Sequence, residues 1–166
     1  MSEESQANGL GSYALGANDA AAQRLEIQDV QFAAVSERLL DRLSLRRNDR
    51  VVELGIGAGS FARRILSRLG PGGTLIGIDK TRGLLDQAAT NLADIRSAHL
   101  ELRLADISDA DGSLADADVV VGRTVLHHLP MPEVLLGRLR HVLRPGTRLG
   151  FIEPEFRALV GRLAAL

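Results

Sequence analysis

The chain has 166 residues, a formal net charge of −1 at pH 7 and no cysteine. The length suits a single domain, and the lack of cysteine excludes disulfides, thiolate metal sites and cysteine nucleophiles. A charge near zero and an aromatic content of 3% argue against nucleic-acid and anionic-membrane partners. Because no apolar run approaches the roughly 20 residues that cross a bilayer, and no signal peptide is recognisable, we expect a cytoplasmic protein.

The N-terminal part of the chain divides into two segments. Residues 1–17 combine Ser, Gly and Asn with little periodicity, which predicts a flexible lead-in. From about Asn18 to Leu43 the apolar residues recur at helical spacing. We therefore expect a single domain over 18–166, with a helical part over 18–46.

Beyond residue 50, short apolar strands alternate with helical segments. The predicted strands cover about 50–54, 74–79, 99–104, 118–122 and 148–153, and the predicted helices cover about 59–69, 81–95 and 131–143. Repeated strand–helix units with apolar strands indicate an α/β fold with a parallel sheet covered on both faces. Right-handed crossovers favour a doubly wound, Rossmann-like sheet with the order 3-2-1-4-5.

A glycine-rich loop joins the first strand to the following helix, within residues 51–61. Glu53 lies two residues before Gly55, and Gly57 and Gly59 follow at alternate positions. Glycine permits a tight turn and close approach of a ligand to the backbone. The helix start adds unpaired N–H groups and a positive dipole end. The stretch therefore predicts a loop that binds the nucleotide-like part of a cofactor.

Two further acids follow the next strands, at the edge of the sheet where ligands of doubly wound folds bind. Asp79 ends the second strand, and its carboxylate is suited to accept two hydrogen bonds from a ribose diol. Asp106 follows the third strand, where it is suited to accept from an adenine amino group, with Ile107 beside it to pack on the ring. The alternative roles are a helix cap for Asp79 and an ordinary turn residue for Asp106.

Residues 50–153 resemble the class I S-adenosylmethionine-dependent methyltransferases, in particular small-molecule enzymes of the ubiquinone and menaquinone biosynthesis type. The resemblance is carried by Val51-Val52-Glu53-Leu54-Gly55-Ile56-Gly57-Ala58-Gly59, Ile76-Gly77-Ile78-Asp79, Leu104-Ala105-Asp106-Ile107, Thr124-Val125-Leu126-His127-His128-Leu129-Pro130 and Val142-Leu143-Arg144-Pro145-Gly146-Thr147. It implies S-adenosylmethionine as the cofactor and methyl transfer to a small-molecule acceptor.

The resemblance also implies which residues hold the cofactor. Glu53, Gly55 and Gly57 are expected around its methionine part, Asp79 at the ribose, and Asp106 with Ile107 at the adenine. Arg123 and Thr124 are expected beneath it, and residues of the lead-in and first helix above it. The predicted cofactor-binding residues are Tyr13, Arg24, Gln28, Glu53, Gly55, Gly57, Asp79, Lys80, Asp106, Ile107, Arg123 and Thr124.

A dinucleotide is the alternative cofactor. Its fingerprint requires Gly or Ala where this chain has Ser60. The negatively charged pyrophosphate also disfavours a carboxylate at Glu53, whereas the positive sulfonium and ammonium groups of S-adenosylmethionine tolerate it. The sequence therefore favours S-adenosylmethionine.

His127 and His128 follow the fourth strand, where an acceptor is expected to approach. An unperturbed histidine titrates near pH 6.5, about right for a general base if the acceptor must lose a proton. Alternatively, these side chains shape the pocket or bind a backbone carbonyl. A metal site formed with Glu153 is disfavoured because adjacent histidines on a loop rarely point the same way, and we expect no metal.

Relatives of this family usually carry an antiparallel strand hairpin after the fifth strand, and we expect this chain to lack it. Residues 155–166 are predicted to form a short helix, which leaves the fifth strand as an exposed edge that invites pairing. Three explanations stay open: a truncated chain, a sheet completed by a partner such as a second copy in a homodimer, or a degenerate homologue. In the last two cases a non-catalytic binding module replaces the enzyme.

Overall fold

The computed structural model describes residues 30–109, 111–154 and 158–162, and its first helix, α1, covers 30–43. The strands are β1 Arg50–Leu54, β2 Thr74–Asp79, β3 His99–Leu104, β4 Val119–Arg123, β5 Arg148–Ile152 and β6 Ala158–Arg162. The other helices are α2 Ser60–Arg68, α3 Arg82–Asn91 and α4 Pro132–Val142. Each strand and helix predicted between residues 50 and 153 is present, although α3 ends earlier than predicted. The lead-in 1–17 and the start of the first predicted helix lie outside the described residues.

The strands form one sheet with the order β3-β2-β1-β4-β5-β6. Strands β1 to β5 are parallel, and β6 runs antiparallel to β5. The predicted α/β class and the order 3-2-1-4-5 of the parallel strands are thus confirmed. In the part of the chain that the structure describes, no helix has the length and apolar character needed to cross a membrane.

Alternate strand residues point to opposite faces of the sheet. Both faces are buried because helices pack on each of them. Val51 and Val121 pack with the apolar residues of α1, α2 and α3 on one face. Val52 and Val120 pack with those of α4 on the other face. Burial of each such side chain contributes roughly 1.5–3 kcal/mol. The core thereby fixes the central strands and leaves their carboxyl ends to carry the loops.

The prediction for the C-terminal residues is wrong. Instead of a helix after an exposed fifth strand, Ala158–Arg162 forms β6, which pairs along the whole of β5. An unpaired strand edge presents a row of free N–H and C=O groups, and a neighbouring antiparallel strand requires only a short connection. One antiparallel strand of the kind expected to be absent is therefore present, and β5 is not a free edge for a homodimer.

The amino ends of β1 and β5 are joined by a buried ion pair. Arg148, the first residue of β5, donates from Nη2 to Oδ2 of Asp49 at 2.6 Å. Its Nη1 donates to the carbonyls of Leu43 and Ser44, at 2.6 and 2.7 Å. The backbone N–H of Arg46 donates to the same Asp49 oxygen. The pair therefore anchors the end of α1 to the sheet, at the end away from the predicted site.

Candidate functional site

The strand register brings three charged side chains together at the carboxyl end of the sheet. Glu53 of β1 pairs with Gly77 of β2 on one side and with Val121 of β4 on the other. Asp79 and Arg123 each lie two residues beyond those partners. Because side chains alternate between faces with a period of two, both lie on the face of Glu53, one to either side of it.

A cleft of about 860 Å³ opens at these strand ends. Among the residues that line it are Glu53, Gly55, Gly57, Asp79, Lys80, Asp106, Ile107, Arg123, Thr124, His127 and His128. Every predicted site residue within the described ranges thus faces one cavity, whose volume suits a single small ligand. The other three, Tyr13, Arg24 and Gln28, lie outside the described residues. The roles assigned to all of them stay predictions.

The glycine loop approaches the cleft with its backbone. Gly55 and Gly57 have φ angles of +71° and +55°, in the left-handed region that favours glycine. A Cβ at Gly55 would lie 2.7 Å from Cγ2 of Val125, whereas one at Gly57 would meet no described atom within 4 Å. Gly55 is therefore required for packing, and Gly57 leaves open space where a Cβ would project.

Asp79 holds the loop and the next helix in place. Its Oδ2 accepts from the N–H of Gly57 at 3.0 Å, and its Oδ1 accepts from the N–H of Thr81 at 2.9 Å, just before α3. The N-cap residue of α3 is Thr81, and no side-chain capping hydrogen bond is present, so Asp79 forms a turn before the helix rather than the cap considered as an alternative. A carboxylate has about four acceptor positions, so Asp79 retains capacity for ligand hydroxyl groups.

Asp106 lies across the cleft, at the end of β3. Its Oδ1 accepts from the N–H of Ser108 at 2.8 Å. Hydrogen bonds from the backbone and side chain of Ser108 hold the pKa of Asp106 below its usual value, and the charge of Lys80 acts in the same direction. Asp106 is therefore an ionised acceptor at neutral pH, and its turn-forming role does not remove it from the cleft.

Glu53 differs from the other two acids because it is buried. Its side chain belongs to a residue that is 1% exposed, and Oε2 has no hydrogen-bond partner among the described residues. Burial raises the pKa of Glu53 to about 8, the charge of Arg123 lowers it, and the charge of Asp79 raises it. A strongly shifted pKa in a cleft marks a candidate functional group.

Arg123 connects β4 to the first two helices. Its Nη1 donates to Oγ of Ser36 in α1 at 3.4 Å, and its Nη2 donates to Oγ of Ser60 at the start of α2. The guanidinium carbon lies 5.2 Å from the ring centre of Phe61, within the range of a cation–π contact. The sequence analysis predicted Arg123 as a site residue but not its partners. Of the two serines, only Ser60 could have been suspected, because it directly follows the glycine loop.

Glu153 organises the loop that follows β4. Its Oε1 accepts from the N–H groups of Val125 and Leu126, at 3.2 and 2.9 Å, and its Oε2 accepts from the N–H of His127 at 3.2 Å. The preceding residue, Thr124, has a φ of +55°. This conformation is rare for a β-branched residue and costs on the order of 1–3 kcal/mol. Glu153 therefore helps to hold a strained loop at the cleft.

The histidines of this loop have different surroundings. Nδ1 of His127 lies 2.8 Å from Oε2 of Glu153, and the two histidine rings have centroids 3.9 Å apart. Within the described ranges, no group of three or more His, Asp or Glu side chains is arranged to hold a metal ion. Glu153, considered above only as a metal ligand, thus acts as an acceptor for the loop and for the His127 ring.

Several residues that line the cleft escaped the sequence analysis as site residues. They are Gln31, Phe32, Ile56, Ala58, Ser60, Thr81, Leu84, Ser108, Val125, Leu129, Pro130 and Pro154. Many are apolar and follow strand ends, so their sequence pattern resembles that of ordinary core and loop residues. Five of them belong to motifs that the family resemblance had singled out: Ile56, Ala58, Val125, Leu129 and Pro130.

Comparisons with known proteins identify the family. A family model described as a methyltransferase domain matches residues 52–149. Nocamycin O-methyltransferase of Saccharothrix syringae is 29% identical, over 74% of this chain and 44% of its own length. Trans-aconitate 2-methyltransferase of Mycolicibacterium gilvum is 32% identical, over 70% of this chain and 42% of its own length. The chain therefore spans less than half the length of these two curated relatives.

The same fold is found in a solved structure. A solved structure of a SAM-dependent methyltransferase from Aquifex aeolicus superposes with a TM-score of 0.62 at 21% identity, covering 71% of this chain and 63% of that one. The family model matches more than half of the chain, and the sheet has the strand order expected for the family. The chain belongs to the class I S-adenosylmethionine-dependent methyltransferases.

Proposed function

We propose that this chain transfers the methyl group of S-adenosylmethionine to a small-molecule acceptor in the cleft at the carboxyl ends of its parallel strands. The observation that carries the proposal is that Glu53, Asp79 and Asp106 line one cleft beside the glycine loop. The acceptor class is supported by relatives named for nocamycin and trans-aconitate. A net charge of −1 also favours a small acceptor over a nucleic acid.

The chemistry of the cleft fits this cofactor. The unpartnered Oε2 of Glu53 is an acceptor of the kind that an ammonium group needs. Asp79 is oriented by two backbone N–H groups and keeps acceptor capacity for the ribose hydroxyls. Ionised Asp106 and apolar Ile107 provide an acceptor and a packing surface for the adenine. The open space beside Gly57 lets the ligand approach the backbone.

The protein contributes mainly alignment. The cofactor, when bound, supplies a methyl group that its sulfonium already activates. Fixing an acceptor in line with that group supplies roughly 7–11 kcal/mol of the barrier reduction. The loop after β4, fixed by Glu153, presents His127 and His128 to the cleft. These two side chains form the wall against which the acceptor is positioned.

His127 is the better placed of the two histidines to accept a proton from the acceptor. Its Nδ1 lies against the carboxylate of Glu153, which selects the tautomer that carries its proton on Nδ1. The other ring nitrogen, Nε2, then has a free lone pair. For an acceptor that loses a proton, general-base catalysis adds roughly 10²–10⁴-fold. For other acceptors the histidines only shape the site.

Cofactor binding is tested by calorimetric titration with S-adenosylhomocysteine. The chain is expected to bind it, and Asp79→Ala is expected to weaken binding at least tenfold, a loss of about 1.4 kcal/mol or more. The reason is the loss of both the ribose acceptor and the contact that holds Gly57. The matched control is Asp116→Ala, which removes an exposed carboxylate outside the cleft and should leave the affinity unchanged. A folded chain that binds no S-adenosylhomocysteine contradicts the proposal.

Methyl transfer requires a separate test. Candidate acceptors are incubated with the chain and S-adenosylmethionine and are examined by mass spectrometry for the gain of one methyl group. A methylated small molecule is the expected product, and His127→Ala should slow its formation if the acceptor must lose a proton. Tight cofactor binding without any methylated product would instead support the non-catalytic binding module.

A further inference from the structure

The surroundings of Glu53 leave its carboxyl group with little to bind inside the protein. Its neighbours in the sheet register are Gly77, which has no side chain, and Val121, which has no polar group. The charged groups whose fields act on it are Asp79 from β2 and Arg123 from β4. Asp79 directs its carboxylate to backbone N–H groups, and Arg123 donates to Ser36 and Ser60. Among the described residues, the other titratable groups that line the cleft are Lys80, Asp106, His127 and His128.

An acid in this position is more stable without its charge. A buried carboxylate without a hydrogen-bonding partner costs several kcal/mol, and the protonated form avoids much of that cost. Burial raises the pKa of Glu53 to about 8, so the carboxyl group is mostly protonated at neutral pH in the free chain. The ligand-free cleft thus holds a proton that an incoming positive group is able to displace.

We infer that Glu53, buried and without a partner for Oε2 among the described residues, releases a proton to the solvent when the ammonium group of a ligand binds beside it. The inference rests on the proposed function, since S-adenosylmethionine and S-adenosylhomocysteine both carry an amino-acid ammonium group. The carboxylic acid of Glu53 becomes a carboxylate and one proton passes to the buffer. The ligand keeps all its protons, and the new partners are the ammonium N–H groups and Oε2 of Glu53.

The proton release depends on the ammonium group of the ligand. A ligand with the adenosine part but no ammonium group, such as methylthioadenosine, gives Glu53 no reason to ionise and should bind without proton release. For S-adenosylhomocysteine, affinity should rise with pH by up to about tenfold per unit below the pKa of Glu53 and level off above it. The affinity for methylthioadenosine should show no such dependence on Glu53.

The test is calorimetric titration at pH 7 in phosphate and in Tris, two buffers with different heats of ionisation. The unmodified chain should release nearly one proton per S-adenosylhomocysteine and none per methylthioadenosine. Glu53→Gln keeps the shape of the side chain but has no proton to release, so its binding heat should be the same in both buffers. Its affinity for S-adenosylhomocysteine should also lose the rise between pH 6 and pH 8.

Two outcomes overturn the inference while leaving the proposed function intact. One is S-adenosylhomocysteine binding without proton release, and the other is equal proton release from Glu53→Gln. Failure of both ligands to bind a folded chain counts against the proposed function as well. If Glu53→Gln does not fold, carbon-13 NMR of the glutamate carboxyl groups gives the answer in the unmodified chain. At pH 7 one signal should move from the protonated to the ionised position when S-adenosylhomocysteine is added, and an unmoved signal contradicts the inference.

Discussion

Asp49 lies directly before β1 and Glu53 lies near its end, and these two buried carboxyl groups differ in what surrounds them. Asp49 is 4% exposed, and its Oδ2 accepts from Arg148 and from a backbone N–H. Glu53 is 1% exposed, and its Oε2 has no partner among the described residues. At the amino end of the strands, the buried carboxylate of Asp49 is neutralised by Arg148. At the carboxyl end, Oε2 of Glu53 lacks a hydrogen-bond donor among the described residues.

This contrast separates residues that hold the fold from residues that serve a ligand. A buried polar group is normally paired, because an unpaired one costs roughly 1–3 kcal/mol. The Asp49–Arg148 pair joins α1, β1 and β5, and lies away from the cleft. Oε2 of Glu53 has no hydrogen-bond partner in the part of the chain that the structure describes, and Glu53 lines the cleft. Substitutions at the amino end should therefore change stability without changing ligand affinity, and those at the carboxyl end should change affinity as well.

The largest expected effect comes from breaking the pair at the amino end. Arg148→Met removes three hydrogen bonds and leaves Asp49 buried without its countercharge. We expect the free energy of unfolding, measured with urea, to fall by about 3–5 kcal/mol. The matched control is Arg144→Met, which breaks a half-exposed pair with Asp118 and should cost about 1 kcal/mol or less.

A double variant tests whether the fall in the free energy of unfolding comes from the unpaired, buried charge of Asp49. Combining Arg148→Met with Asp49→Leu removes both charges, so most of the lost stability should return. The double variant should also bind S-adenosylhomocysteine as well as the unmodified chain. A clear loss of affinity in the folded double variant would show that the two ends of the sheet are not independent.

The pH dependence of stability gives the next largest effect, and it depends on Glu53. Its pKa is about 8 in the folded chain and near the ordinary glutamate value of 4.5 in the unfolded chain. Between pH 4.5 and pH 8 the folded chain therefore holds a proton on Glu53 that the unfolded chain has lost. The stabilisation from this proton is fully present below pH 4.5 and is lost as the pH rises through 8. With about 1.4 kcal/mol per pKa unit, the loss between pH 5 and pH 8 is on the order of 4 kcal/mol.

The measurement is the free energy of unfolding of the unmodified chain minus that of Glu53→Gln, from pH 5 to pH 9. This difference should fall as the pH rises and should level off above pH 8. Glu101→Gln is the control, because a hydrogen bond from Arg103 lowers the pKa of Glu101 and keeps it ionised over this range. A flat difference for Glu53→Gln would show that Glu53 is already ionised in the free chain.

The sequence predicted the parallel sheet well because its signals are local. Apolar runs bounded by Gly, Pro and Asp define each strand, and Pro132 marks the first turn of α4. The strand β6 was missed because its main determinant is the pairing demand of β5, which no pattern within 155–166 reveals. A short apolar segment fits a helix or a strand equally well until its neighbour is known.

In the site, too, features that depend on neighbouring residues in the sequence were predictable, whereas contacts between distant residues were not. Residues that directly follow strands, such as Asp79 and Asp106, were predictable because parallel strands bring their carboxyl ends to one edge. The partners of Arg123 were not, since Ser36 lies 87 residues away in the chain. The role of Glu153 was also hidden, because its bonds to the loop after β4 exist only once β4 and β5 pair.

The smallest expected effects compare two glycines, one at the cleft and one on a helix surface. Gly57 has a φ of +55°, so Gly57→Ala forces an L-residue into the left-handed region, at a cost of about 1 kcal/mol. Gly137 lies exposed within α4 and has open space around it. Gly137→Ala should stabilise the chain by roughly 0.5–1 kcal/mol, because alanine favours a helix.

The two alanine variants are best distinguished by binding rather than by stability. The new methyl group at Gly57 projects into space that the ligand is proposed to occupy, so S-adenosylhomocysteine affinity should fall by more than the small stability loss explains. The methyl group at Gly137 lies away from the cleft and should leave the affinity unchanged. Both quantities come from urea unfolding and calorimetric titration of the same samples. Unaltered affinity in folded Gly57→Ala would mean that the ligand does not approach the glycine loop closely.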